Sequence, residues 1–249
     1  VRATGTGGSL HDLSRTGQSM TAHGTKTSVD GLFAGKVRQL WEGLAPSAIY
    51  KTPVEGRQDI DLLGFIEDAQ ADPRHHGGTE KAIHHYPGEH YAHWIAEGEV
   101  PNGTAPAAFG ENISTIGLTE ENLCIGDILR LGTATVQISQ GRQPCWKVSQ
   151  RMANPKMAYL FQKTGRTGWY YRILNPGSAA KGDPITLLER PQPEWSVKQV
   201  TAARLTHQIA QSDAAILATM SELADGWRKA FAKMADGHFE EDTDKRLKG

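Results

Sequence analysis

The chain has 249 residues, 27 Lys+Arg against 28 Asp+Glu, and a formal charge of −1, with 38% hydrophobic and 22% charged residues. That balance excludes a disordered chain and suits one large domain, or one domain with a small appendage. No apolar run approaches the roughly 20 residues of a membrane-spanning helix, and the near-zero charge argues against a general nucleic-acid coat.

Val1 to Asp30 is rich in Gly, Thr and Ser and poor in large apolar residues. It lacks the apolar core of a secretory signal, so residues 1–30 are expected to form a flexible N-terminal tail. Met20 is a candidate start, and whether residues 1–19 are native stays open. From Gly35 the pattern changes. Lys36 to Trp41 alternates polar and apolar, as a half-buried strand should, and Ala48–Lys51 and Ile60–Ile66 read as further strands. A helix is expected from near Pro87 through His90, Trp94 and Ile95, and another over Asn154–Thr164. Leu131–Ser139 is the clearest strand, with Ala134, Val136 and Ile138 on one face, and Ile185–Glu189 is another. Short strands between Gly and Pro turns point to a barrel or sandwich. Pro191 and Pro193 mark a linker. Beyond it Ser196, Ser212 and Ser221 stand as N-caps of three short helices, the last with Leu223, Trp227, Phe231 and Met234 on one face. Eight Lys+Arg against nine Asp+Glu in residues 194–249 argue against a DNA-reading helix pair.

Several short motifs could carry chemistry. Six of the ten histidines fall between His75 and His93, but without the Cys/His pairs or H-E-x-x-H spacing of zinc sites. His76 precedes Gly77 and Gly78, whose backbone N–H groups could meet an anion, with Lys81 three residues on. An ordinary turn explains the glycines equally well. Cys145 follows the clear strand across a Gly-x-x-Pro turn, flanked by Arg142 and Lys147. Nearby cations favour thiolate, the nucleophile and soft-metal ligand, although a lone cysteine is often an inert core residue. Cys124 sits among apolar neighbours and reads as core. Two cysteines make no disulfide framework, so a reducing, cytoplasmic compartment is expected. In Phe109-Gly110-Glu111-Asn112-Ile113 the carboxylate and amide could read a heterocycle's edge, or simply close a turn. Gly165-Arg166-Thr167-Gly168-Trp169-Tyr170 offers an arginine and stacking aromatics, or a tight connection with Trp169 in the core. No dinucleotide or Walker glycine motif occurs.

In this order, His76-Gly77-Gly78, Glu80-Lys81-Ala82, His85-Tyr86-Pro87, Ala108 to Ile113, Gly126-Asp127 and the Gln137–Lys147 stretch with Arg142, Pro144 and Cys145 resemble a MOSC domain. This family is related to the C-terminal domain of molybdenum-cofactor sulfurase. Within it the chain is similar to the YiiM-type bacterial members, from about Gly35 to the end. The resemblance implies a mainly β fold with α. It comprises a closed MOSC β-barrel with peripheral helices over residues 31–192 and a small three-helix C-terminal domain over 193–249. It implies molybdenum cofactor (Mo-molybdopterin) binding, with Cys145 as molybdenum ligand or persulfide carrier. Residue by residue, it places Cys145 and His76 in catalysis, His76 as proton donor. Gly77, Gly78, Lys81, Glu111, Asn112, Gln140 and Arg142 would hold the cofactor, with Glu111 and Asn112 at the pterin's donor-rich edge. The implied activity is reduction of N-hydroxylated compounds such as N-hydroxylated purines. The chain lacks the cysteines for an intrinsic iron–sulfur cluster, so an external electron-transfer reductase, or a sulfur donor, is the expected partner. A small-molecule substrate is expected, with no nucleic acid and no membrane; a homodimer is left open. Two other readings stand beside this one: a non-catalytic carrier of sulfur or cofactor, and a cofactor-free hydrolase using a Cys145–His76 pair.

Overall fold

The computed structural model describes residues 26–73 and 77–248. In chain order these form β1 (Lys26–Ser28), β2 (Gly31–Ala34), β3 (Thr52–Pro53), β4 (Gln58–Asp61), β5 (Gly64–Phe65), a 3-10 turn (Thr79–Lys81), β6 (Ile83–Pro87), α1 (Glu89–Ala96), β7 (Ile113–Thr115), β8 (Ile128–Leu131) and β9 (Ala134–Gly141). There follow α2 (Trp146–Met152), α3 (Met157–Thr164), β10 (Trp169–Asn175), β11 (Gly177–Ala179), β12 (Pro184–Glu189), α4 (Val197–Thr206), α5 (Gln211–Thr219), α6 (Asp225–Ala235) and α7 (Thr243–Lys248).

Nine strands form one sheet in the order β1-β12-β8-β9-β10-β6-β7-β2-β3, and β11-β4-β5 form a second. The first sheet does not close into the expected barrel, because β1 and β3 remain its two ends. Both are short, and β3 contains Pro53, which has no N–H to extend a ladder. Nearly all pairs are antiparallel. The exception is β6 with β7, a parallel pair joined through α1. All five residues of β6 are buried, as befits a strand inside a sheet.

Tertiary pairing redraws several expected elements. Lys36–Trp41 makes only a single bridge, Arg38 to Ser47. Ala48–Lys51 is loop leading into β3. The Ile60–Ile66 strand is instead split between β4 and β5, paired with each other. Leu131–Ser139 breaks at Gly132, where the chain takes a left-handed turn (φ 57), so β8 and β9 are antiparallel neighbours. Ala134, Val136 and Ile138 do share the core, but Ser139 is buried as well. Of the residues assigned to a tail, Lys26–Ser28 pair with β12, and the rest of that stretch to residue 25 lies outside the described residues.

Ser196 caps α4 in a capping box with Gln199, as the sequence reading has it. Ser212, by contrast, lies inside α5, and Ser221 precedes the Ala224 cap of α6. A fourth helix, α7, follows where three were expected. Val197, Val200, Leu217, Leu223, Trp227 and Phe231 join the same buried cluster as Ile113, Val136, Ile138 and Trp169 of the sheet. A second cluster, with Tyr86, Trp94, Phe109 and Phe161, backs the cleft described below. No helix among the described residues is long and apolar enough to cross a membrane.

Candidate functional site

Cys145 is the N-cap residue of α2 and is partly exposed. It opens on a cleft with roughly 610 Å³ of space, the open solvent at its mouth included. Lys51, Asp68, Lys81, His84, Arg142 and Lys147 supply the charged and titratable groups of its walls, with Asn112 and Tyr170 beside them. Each comes from a different local structure. Lys51 precedes β3, Asp68 follows β5, Lys81 ends the 3-10 turn, His84 lies on β6, Tyr170 on β10 and Lys147 on α2. Tyr170 and His84 are direct partners in the β10–β6 ladder, and their rings lie 5.0 Å apart.

Four cations thus meet one carboxylate. Asp68 is occupied: its Oδ2 takes Lys51 Nζ and Asn112 Nδ2 (2.8 Å), and its Oδ1 takes the Gly35 N–H (2.7 Å). Burial lowers the Lys51 ammonium below its ordinary range, against the pull of Asp68 and Glu111. Lys81 is likewise lowered by burial, opposed by Asp72 and Cys145. Arg142 is buried and donates to the Phe109 carbonyl (2.8 Å), which aims the guanidinium along the cleft wall. His84 falls well below its usual value through burial, with Arg142 and Lys51 adding repulsion, so the ring is neutral. Burial raises the Tyr170 phenol. Asp68 offsets Lys51 and Asp72 offsets Lys81, yet the lining carries more cations than carboxylates, which suits an anion.

Of the residues singled out in the sequence, the structure brings Cys145, Arg142, Lys81 and Asn112 to this cleft. Asn112 has an internal task as well. Its amide donates to Phe33 O (3.2 Å) and Asp68, and its Oδ1 accepts from the His84 N–H (3.1 Å). Glu111 does not face the cleft. Its carboxylate is fully buried and accepts from Tyr91 Oη (2.5 Å) and the N–H groups of Ala107 (2.7 Å) and Phe109 (3.2 Å). It shapes the loop that carries Phe109 and Asn112, and burial raises its pKa above the ordinary carboxylate range. Gln140 lines a separate groove with Gly77 and Gly78, and only Lys81 is common to both. The Gly78 N–H is spent on Gln70 Oε1 (2.8 Å), the atom that a Cβ on Gly77 would strike. His76 lies outside the described residues.

Other motifs resolve into structure. Arg166 pairs with Glu97 (2.6 Å) and covers the Trp94 ring, and Trp169 is buried in the core. Cys124 is buried, and burial pushes its thiol up to about 11. His84 and His85 are buried on β6, whereas His90 and His93 line a separate groove. No three His, Cys, Asp or Glu side chains form a metal-holding group among the described residues. The sequence motifs do not single out Lys51, Asp68 or His84, whereas Tyr170, named there among the stacking aromatics, does line the cleft. The His84–His85 doublet inside an apolar strand and Lys51 after Ala48-Ile49-Tyr50 were the available signals.

Residues 72–186 match the MOSC domain. The chain is 36% identical over 219 residues to protein YiiM of Escherichia coli, spanning 88% of this chain and 97% of that one. The chain belongs to the MOSC domain family, in its YiiM-type group. The crystal structure of E. coli YiiM superposes with a TM-score of 0.74 at 30% identity, covering 91% of this chain and 100% of that one. YflK of Bacillus subtilis, an uncharacterized protein, is 40% identical over 192 residues, 76% of this chain and 85% of that one. A Gibberella moniliformis protein named "Reductase" is 41% identical over 170 residues, 67% of this chain but 30% of its own longer length. The MOSC family is associated with the molybdenum cofactor. The donor set of this cleft fits that group: a thiol for a soft metal, and cations for a phosphate.

Proposed function

We propose that this YiiM-type MOSC protein holds the molybdenum cofactor in the Cys145 cleft and reduces N-hydroxylated compounds, N-hydroxylated purines among them, with electrons from a separate reductase. The observation that carries the reading is the partly exposed Cys145 thiol sharing one cleft lining with Lys51, Lys81, Arg142 and Lys147. Cys145 would supply the thiolate ligand. Lys81, Arg142 and Lys147 would neutralise the pterin phosphate, with Arg142 already aimed by Phe109. The bound cofactor supplies two-electron redox chemistry that a side chain cannot. In the overall reaction the N–O bond breaks, two electrons and two protons enter, and an amine and water leave. The protein's own groups bind the anionic ligand, exclude water with the aromatic cluster behind the cleft, and hold protons; His76 is the proton donor that the sequence motif nominates. The relative named "Reductase" supports a reductive role.

Elemental molybdenum and oxidised-pterin fluorescence test the reading, on protein from a host that makes the cofactor and from one that cannot. The expected result is molybdenum and pterin near one per chain in the first host only, lost in Cys145→Ser. Loaded protein should reduce an N-hydroxylated purine when a reductase is supplied. Folded protein without metal or pterin from either host overturns the reading. Loading without turnover leaves a carrier in its place.

A further inference from the structure

A cleft rich in cations is a poor match for a heterocycle that presents N–H groups, because such an edge needs acceptors. The acceptors around the Cys145 cleft are largely committed. Both Asp68 oxygens, Asn112 Oδ1 and the Phe109 carbonyl already accept from protein donors. Gln70 Oε1 is held by the Gly78 N–H, and Glu111 is turned away into its loop. His84 differs. Its Nε2 stands 3.3 Å from Thr167 O. A carbonyl only accepts, so the proton sits on Nε2 and Nδ1 carries a lone pair. Nε2 is committed to Thr167, which leaves Nδ1 for the cleft that the ring lines. The residue is held in place: its backbone N–H is tied to Asn112 Oδ1, the Tyr170 ring lies against the imidazole, and Nε2 meets Thr167 O. Burial and the neighbouring cations Arg142 and Lys51 keep the imidazole neutral, so the lone pair persists at neutral pH.

We infer that His84 is the specificity residue of the cleft, accepting through Nδ1 a hydrogen bond from an N–H donor on the planar heterocycle bound beside Cys145. The inference deepens the cofactor-and-substrate reading above and rests on it. The same donor chemistry is offered by a pterin ring and by an N-hydroxylated purine. In either case His84 selects a donor edge where the cationic walls would select an acceptor edge.

The test exploits geometry. Asn places its amide oxygen where Nδ1 stands, whereas Gln places its amide NH2 where Nε2 stands, donating to Thr167 O, and has no acceptor at the Nδ1 position. Cofactor-free wild-type protein, His84→Asn and His84→Gln are titrated with pterin and with 3-methylpterin, reading fluorescence quenching, and their melting midpoints check folding. The same three proteins, loaded with cofactor, are assayed with an N-hydroxylated purine for KM and kcat against molybdenum content. His84→Asn should stay within about threefold of wild type, while His84→Gln should weaken by about tenfold, the loss expected for one buried hydrogen bond. If pterin supplies the donor, the loss falls on the pterin Kd, and wild type discriminates against 3-methylpterin. If the substrate supplies it, the loss falls on KM with pterin affinity and molybdenum unchanged. Equal effects of both variants, or none in either arm, overturn the inference. Wild-type protein that binds no pterin overturns the cofactor reading, and the inference with it.

Discussion

Arg246 of α7 donates through Nη1 to the carbonyl oxygen of Pro144, 2.7 Å away, in the residue just before Cys145. The same guanidinium holds Glu241 Oε1 (3.0 Å) and Gln162 Oε1 (2.8 Å). Glu241 in turn takes Arg204 (2.8 Å) and Gln143 (2.6 Å). The cysteine loop is therefore fastened at Gln143 and Pro144 by a segment some hundred residues further along, outside the part of the chain that matches the MOSC domain. An arginine suits this place because its planar fork satisfies several acceptors at once.

Arg246→Ala should accordingly loosen the loop more than it destabilises the sheet. Hydrogen exchange at residues 143–148 is expected to rise severalfold, with β9 protected as before. Global stability should fall by about 1–3 kcal/mol, the range for a charged hydrogen bond lost from a part-buried site. Exchange unchanged across the loop would show that Pro144 and Gln143 hold their places without α7.

Arg142 has two duties, and they can be separated. Its guanidinium lines the cleft, yet Nη1 also satisfies the buried Phe109 carbonyl and the group lies 5.9 Å from the Phe161 ring. The MOSC resemblance implies that Arg142→Ala would loosen cofactor without unfolding the protein. The burial of Arg142 adds a cost in stability, since alanine strands the Phe109 carbonyl. A loss of about 1–3 kcal/mol is expected for Arg142→Ala in urea unfolding, and a smaller one for Arg142→Lys, which keeps the charge and most of the packing. An unfolding midpoint for Arg142→Ala equal to that of wild type would mean that water replaces the guanidinium at Phe109.

How far the site was legible in the sequence follows from how local its parts are. Cys145, Arg142 and Lys147 lie within one turn-and-helix start, so their proximity is written in adjacent positions. Lys51 and Asp68 meet only because the loops before β3 and after β5 converge, and no short motif encodes that. Glu111 was visible as a charge, but the direction of a side chain is set by the donors that capture it. Here Tyr91, Ala107 and Phe109 turn it inward. His84 was hidden for the opposite reason: an imidazole in an apolar strand reads as core until a cleft is seen beside it. The fold behaves likewise. Eight-residue β9 carries its own pattern, whereas two-residue β3 and β5 exist only through their partners.

His85 gives the clearest pH dependence. It is fully buried beside His84, with Nδ1 3.0 Å from Tyr171 Oη and Nε2 2.9 Å from Thr115 Oγ1. Burial pushes its pKa down from 6.5 to about 3. The folded protein thus keeps the ring neutral while the unfolded chain takes up a proton below pH 6.5. Stability is whole above that value and is lost as pH falls from 6.5 toward about 3. One such group contributes a slope approaching roughly 1.4 kcal/mol per pH unit inside the window. His84 acts in the same direction, so wild type should show more than one proton of dependence. Urea unfolding of wild type and His85→Gln at about pH 7, 6 and 5 isolates the His85 share. The variant is expected to be less stable than wild type at pH 7, and the gap should narrow on acidification. A gap that stays constant would mean His85 is charged, or solvated, in the folded protein.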